Sequence, residues 1–191
     1  MKKTFTSPTG DTTVKKLLME DKYFAPNIYI DIPALLTMKG YVENCDKEIA
    51  WLGLVDRTDE NTFYIRDVDL IEQEVSNTTA ELQEAGLQKY AEKLINEGRM
   101  DDLEKIRMWG HSHVNMDVYP SPTDEDTFRE YYMNCNYFIR IIANKKSSLK
   151  IDIVLLDKEL RFDNVKWQIN YPVEINNAIE KKFLWKKKQK N

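Results

Sequence analysis

Only two histidines occur in the 191 residues, and both fall within Gly110-His111-Ser112-His113. Two histidines placed at random take this spacing roughly once in a hundred times, so the pair is a candidate for chemistry. On a strand or its extended end, residues i and i+2 project to the same side, and both imidazoles can reach one ion. Neutral imidazole suits zinc. A zinc site that performs hydrolysis keeps three protein ligands and leaves one position open. Asp124 is the preferred third ligand, because Ser121-Pro122-Thr123-Asp124 begins a helix and sets this carboxylate on the first turn, where it can be aimed back at the loop. On spacing alone Asp117, Glu125 and Asp126 are rivals. The segment also has a purely structural explanation: a serine N-cap, a proline at the first helical position and an acid at the third make an ordinary helix start. One cap can serve both ends, since its geometry is what would hold Asp124 toward an ion.

His111-x-His113, seven residues, Ser121, two residues and Asp124 match the pattern H-x-H-x(7)-S-x-x-D without a gap. In this the chain resembles the JAMM (MPN/JAB-domain) zinc metalloproteases, of prokaryotic or phage type. That family also carries a glutamate at the start of a buried strand following its first helix, and the matching residue here is Glu48. The resemblance implies that His111, His113 and Asp124 hold zinc and that Glu48 takes a proton from water and returns it to the leaving amine. It also implies that Ser121 hydrogen-bonds the oxyanion or the water. Each role has independent physical grounds: zinc lowers the pKa of a water it binds to about 7, a nearby carboxylate serves as base and then acid, and a hydroxyl stabilises developing charge. Glu43 and Asp46 lie close to Glu48, and the buried run after Glu48 is the positional argument for choosing it. Two departures stand out. Val114 follows the second histidine where many members have proline, and Trp51 stands where many have glycine; neither replaces a ligand. The resemblance spans about residues 28–145.

The activity so implied is zinc-dependent hydrolysis of a peptide or isopeptide bond. The partner is then a protein or peptide substrate, with the C-terminal tail of a ubiquitin-like protein among the candidates. The alternative is a non-catalytic MPN scaffold that binds other proteins; that class usually loses zinc ligands, and this chain keeps the set. A nucleobase deaminase is disfavoured because its H-x-E and P-C-x-x-C pieces are absent. A metallo-β-lactamase-like H-x-H-x-D-H needs an aspartate at 115, where Asn115 stands.

The elements that must position these residues follow from apolar patterning. Ile28 to Ile32 alternates as a strand, and Pro33 opens a helix toward Cys45. Glu48 to Val55 reads as a strand buried on both faces, and Thr62 to Val75 as a long strand forming a hairpin with it. Asn77 or Thr79 can cap a helix carrying Leu87, Tyr90, Ala91, Leu94 and Ile95, with Gly98 as its stop. Ile106 to Gly110 is a strand leading into His111, and the Ser121 helix runs to Tyr132. Tyr137–Ala143, Lys150–Leu156, Leu160–Phe162 and Val165–Ile169 are further strands, and Val173 to about Lys188 a last helix. The last helix should pack through Ile175, Ala178, Ile179 and Phe183, with its lysines suiting the negative helix end. Trp51, Trp109 and Tyr119 are expected as core or cleft walls.

The expected fold class is α/β: a single domain with a mixed, largely antiparallel sheet flanked by helices, in the MPN/JAB, cytidine deaminase-like arrangement the resemblance implies. The division is a loosely ordered leader over 1–22 ending in a short helical piece around Val14 to Met19, a metalloprotease domain over 23–170, and a C-terminal helix with basic tail over 171–191. Hydrophobic residues make up 42% and a net charge of -4 argues against nucleic acid. No segment reads as a signal peptide or a membrane span, and Cys45 and Cys135 form no disulfide pattern but read as reduced, buried thiols. A cytoplasmic location is expected.

Overall fold

Ala50–Val55 and Tyr137–Ala143 are almost wholly apolar, and such runs belong where both faces of a sheet are covered. Both become interior strands in the computed structural model, which describes residues 15–16, 25–75, 80–82 and 84–188. The strands are β1 (Lys15–Lys16), β2 (Asn27–Asp31), β3 (Ala50–Arg57), β4 (Thr62–Leu70), β5 (Gln73–Val75), β6 (Ala80–Leu82), β7 (Ile106–Ser112), β8 (Tyr137–Ala143), β9 (Leu149–Leu155), β10 (Leu160–Phe162) and β11 (Trp167–Asn170). The helices are α1 (Ile32–Asn44), α2 (Glu84–Asn96), α3 (Pro122–Tyr132) and α4 (Val173–Lys188), with short 3-10 segments at Met100–Lys105 and Leu156–Lys158.

Nine strands form one sheet in the order β1-β10-β9-β8-β7-β3-β4-β2-β11. Helices cover both faces, so the chain is an α/β single domain with a mixed sheet. Alternate residues along each strand divide between the two layers. Trp51, Val55, Met108, Ile139 and Ile141 meet Ala34, Met38 and Val42 of α1. Ala50, Leu52, Trp109 and Phe138 meet Tyr90 and Leu94 of α2 and Phe128 and Tyr132 of α3. The sheet is less antiparallel than the sequence suggests. Among the described residues four neighbouring pairs are parallel and four antiparallel, because crossovers such as β7-α3-β8 return the chain in the same direction.

Several elements depart from expectation. The strand from Thr62 leaves the sheet after Leu70, and Gln73–Val75 instead pairs with Ala80–Leu82 as a separate hairpin. The following helix therefore starts at Glu84 rather than at a cap on Asn77 or Thr79, which lie outside the described residues. Its stop is as expected: Gly98 takes φ 72°, a conformation open to a residue without Cβ. The leader expected over 1–22 falls largely outside the described residues, but Lys15–Lys16 pairs parallel with Leu160–Arg161 as strand rather than helix. Cys45 and Cys135 are free, and half-buried rather than buried. The helix Val173–Lys188 forms as expected, yet every residue from 171 to 183 is exposed, so the expected packing of Ile175, Ala178, Ile179 and Phe183 is not found. Tyr119 is 75% exposed and walls no core. Among the described residues no helix is long and apolar enough to cross a membrane.

Candidate metal centre

His111 lies at the end of β7 and His113 one residue beyond it, so their side chains share the face covered by α3. Their backbone is pinned from two sides. Ser112 N donates to Ile49 O (2.9 Å), and His113 N donates to Ala143 O (2.9 Å). Asp124 arrives from α3, whose start is a capping box: Asp124 N donates to Ser121 Oγ (3.1 Å) and Ser121 N donates to Asp124 Oδ2 (2.6 Å). The cap and the aim of the carboxylate are thus one structure, as the spacing of Ser121 and Asp124 implies.

The three side chains converge. His111 Nε2 lies 3.1 Å from His113 Nε2, and each lies 3.3 Å from an oxygen of Asp124. All three potential ligand atoms fall within 4.8 Å of one another. His113 Nδ1 is 2.7 Å from the carbonyl oxygen of Asp117, which can only accept. His113 therefore keeps its proton on Nδ1, and its Nε2 presents a lone pair to the centre. Two imidazole nitrogens and a carboxylate facing one another could hold a metal ion, and N, N, O donors at this separation are of the kind a tetrahedral zinc takes. The electrostatics differ between the two imidazoles. Burial holds His111 below its ordinary pKa, favouring the neutral form that ligates metal. Burial acts likewise on His113, but hydrogen bonds with Asp124 and Asp117 outweigh it and raise its pKa. For Asp124 burial is outweighed by the two imidazoles, which hold its carboxyl far below the carboxylate range.

The rival acids are elsewhere. Glu125 is bound by Arg140 and Arg161, whose hydrogen bonds outweigh burial and lower its pKa to about 2. Asp126 pairs with Arg129, and Asp117 is exposed on the surface facing Lys146. Glu48 is brought to the same place from the other direction. It is 4% exposed just ahead of β3, and near enough to His113 and Asp124 that both act on its acidity. Burial, assisted by Asp124, raises its pKa, with His113 opposing. Of its neighbours, Asp46 pairs with Lys145 and Glu43 with Lys39 on the surface.

Both departures from the family pattern have a local account. Val114 takes φ 44°, a region proline cannot enter because its ring holds φ near −65°. In the loop after the histidines Val114 O accepts from Lys145 N (2.7 Å). Trp51 is fully buried and pairs across the sheet with Gly110. A Cβ on Gly110 would lie 2.2 Å from Trp51 Nε1, so the absence of a side chain at 110 is what admits the indole.

Trp109 is buried beside the centre, as expected of a core or cleft wall, and three residues join it that the motif does not include. Trp109 stacks on His111, with ring centroids 4.4 Å apart and planes 24° from parallel. Ser112 Oγ accepts from Ile49 N (3.1 Å), tying the histidine strand to the segment that bears Glu48. Gln73 grips the same segment from its other edge, accepting from Ala50 N (2.7 Å) and donating to Ala50 O (2.8 Å). Arg140 is fully buried beneath α3. A signal for it was present: Arg140 and Asp152 are charges set within the apolar runs Tyr137–Ala143 and Leu149–Leu155, a pattern that implies a buried pair.

No family model matches the chain, and no curated protein does. Its fold is shared with solved structures. One is the solution structure of protein DSY2949 from Desulfitobacterium hafniense. It is 13% identical with a TM-score of 0.54, the match covering 77% of this chain and 95% of that one. At that identity the likeness concerns the fold alone.

Proposed function

We propose that the chain is a zinc metallohydrolase of JAMM type that cleaves a peptide or isopeptide bond, with the C-terminal tail of a ubiquitin-like protein as the first substrate class to try. The observation that carries the reading is the convergence of His111, His113 and Asp124 within 4.8 Å, beside a buried Glu48 of raised pKa. Zinc bound there would supply Lewis acidity, polarising the scissile carbonyl and making water a competent nucleophile at neutral pH. Glu48 takes the proton from the attacking water, for which a raised pKa is well matched, and delivers it to the departing nitrogen. Ser121 uses an oxygen lone pair to cap α3, which leaves its hydroxyl proton free to donate toward the oxyanion. Trp109 and the Asp117 carbonyl hold the two imidazoles in orientation. Free Cys45 and Cys135 accord with a reducing, cytoplasmic setting.

The experiment compares wild type with Glu48→Gln at matched zinc occupancy on ubiquitin-like and peptide-tailed fusions. Turnover is expected to fall at least about 100-fold, the usual contribution of a positioned general base. Zinc content should be unchanged and KM nearly so, since the lost interaction belongs to the transition state. Equal rates would remove Glu48 as the base. No cleavage by either protein across a broad panel would favour the scaffold alternative.

A further inference from the structure

A fully buried arginine stands in the strand beside the histidines. In the parallel register of β7 and β8, Arg140 is paired with Trp109, the residue stacked on His111, and it lies on the face covered by α3. Its guanidinium joins three elements. Nε donates to Asp152 Oδ2 on β9 (3.1 Å), and Nη2 bonds the same oxygen. Nη2 also donates to Glu125 Oε1 (2.8 Å), and Nη1 reaches the backbone carbonyl of Asp124 (3.4 Å). The guanidinium lies over the Phe128 ring, 4.6 Å from its centroid. Asp152 further accepts from Lys150 and Asn164, and Glu125 from both arms of Arg161.

A buried ion pair adds little net stability over apolar residues of the same volume, so stability does not explain this arrangement. Geometry does. The planar fork of arginine fixes direction as well as distance, and here it fastens the first turn of α3 to the sheet. The capping box cannot do this, because Ser121 and Asp124 belong to the same segment and move together. Phe128 and Tyr132 anchor α3 a turn or more farther along. Ligand distances in a zinc site keep to within about 0.2 Å of their usual values, so the seat of the first turn bears directly on whether Asp124 can complete the site. We propose that Arg140 is a positioning residue: through the Asp124 carbonyl and Glu125 it sets the Asp124 carboxylate opposite His111 and His113. The proposal rests on the zinc reading above.

Zinc affinity, measured with zinc alone by competition against a chromophoric chelator, tests it without a substrate. Arg140→Met leaves Asp152 buried without its main partner and can fail to fold. The double variant Arg140→Met with Asp152→Asn removes both buried charges, and should unfold in urea near the wild-type midpoint. Its zinc Kd should nevertheless rise about 10- to 100-fold, the usual cost of losing a partner that orients a ligand. Arg140→Lys keeps the charge without the fork and should weaken binding about tenfold. Met38→Ala, in the α1 layer on the opposite face, serves as a control for destabilisation and should leave the Kd unchanged. Wild-type affinity in the double variant and in Arg140→Lys would overturn the positioning role alone. Failure of the wild type to bind zinc would overturn the metal reading and this proposal with it.

Discussion

Gly110→Ala adds one methyl group to a position where the structure has no room for it. The new Cβ would sit 2.2 Å from Trp51 Nε1 and 2.4 Å from Cε2. Ordinary carbon contacts begin near 3.5 Å, so the indole or the strand must shift by roughly 1 Å. Neither is free to do so, because Trp51 is fully buried between α1 and the sheet and Gly110 is paired on both edges. Overpacking of this kind costs about 1–3 kcal/mol, and the severity of the overlap puts the expectation at about 3 kcal/mol. Trp51→Phe removes the pyrrole atoms that collide, together with an indole N–H that is buried without a partner. The two changes should therefore couple, with the double variant about 1–3 kcal/mol more stable than the sum of the singles implies. The assay is urea unfolding followed by far-ultraviolet circular dichroism, since Trp51 is itself a fluorophore, with m held in common. Additivity within about 0.5 kcal/mol would refute the reasoning that Gly110 exists to admit Trp51.

The remaining predictions concern the cap, the loop and acid sensitivity. Ser121→Ala removes the helix cap and should destabilise by about 1 kcal/mol in urea unfolding. Val114→Pro demands a φ that the loop does not have, and should cost more than about 2 kcal/mol and weaken zinc binding; Val114→Asn, which tolerates left-handed backbone, should be neutral or stabilising. Glu125 has a folded pKa of about 2, below its ordinary 4.5, so its contribution is full above about pH 5 and vanishes as pH falls through 2. In chelator-treated protein the stability gap between wild type and Glu125→Gln, about 2 kcal/mol near neutrality, should accordingly close on acidification; a gap independent of pH would show that Glu125 is not held charged.

The convergence of His111, His113 and Asp124 was legible because the three residues are local. His111 and His113 are fixed by strand alternation, and Asp124 by the helix start at Ser121, so three of the four converging side chains need only short-range geometry. The helix start already prefers Asp124 over Asp117, Glu125 and Asp126, and the tertiary structure adds that Glu125 is engaged by two arginines, from β8 and β10. Glu48 depends on the pairing of Ala50 with His111, a contact across more than 60 positions, and the buried run after it was its main sequence signal. The hairpin at Gln73 was illegible because a continuous β-like run does not reveal where a strand leaves its sheet. The exposure of α4 was missed for a related reason: apolar residues at helical spacing show which side could be buried, not that anything covers it.

The central claim is that His111, His113 and Asp124 form a zinc site. Elemental analysis of protein purified without chelators, and again after loading with zinc and removal of excess, tests it most directly. The account predicts about one zinc per chain in the wild type and essentially none in the His111→Ala, His113→Ala double variant. A folded wild type that is metal-free and cannot be loaded, or a double variant with undiminished zinc, would contradict it.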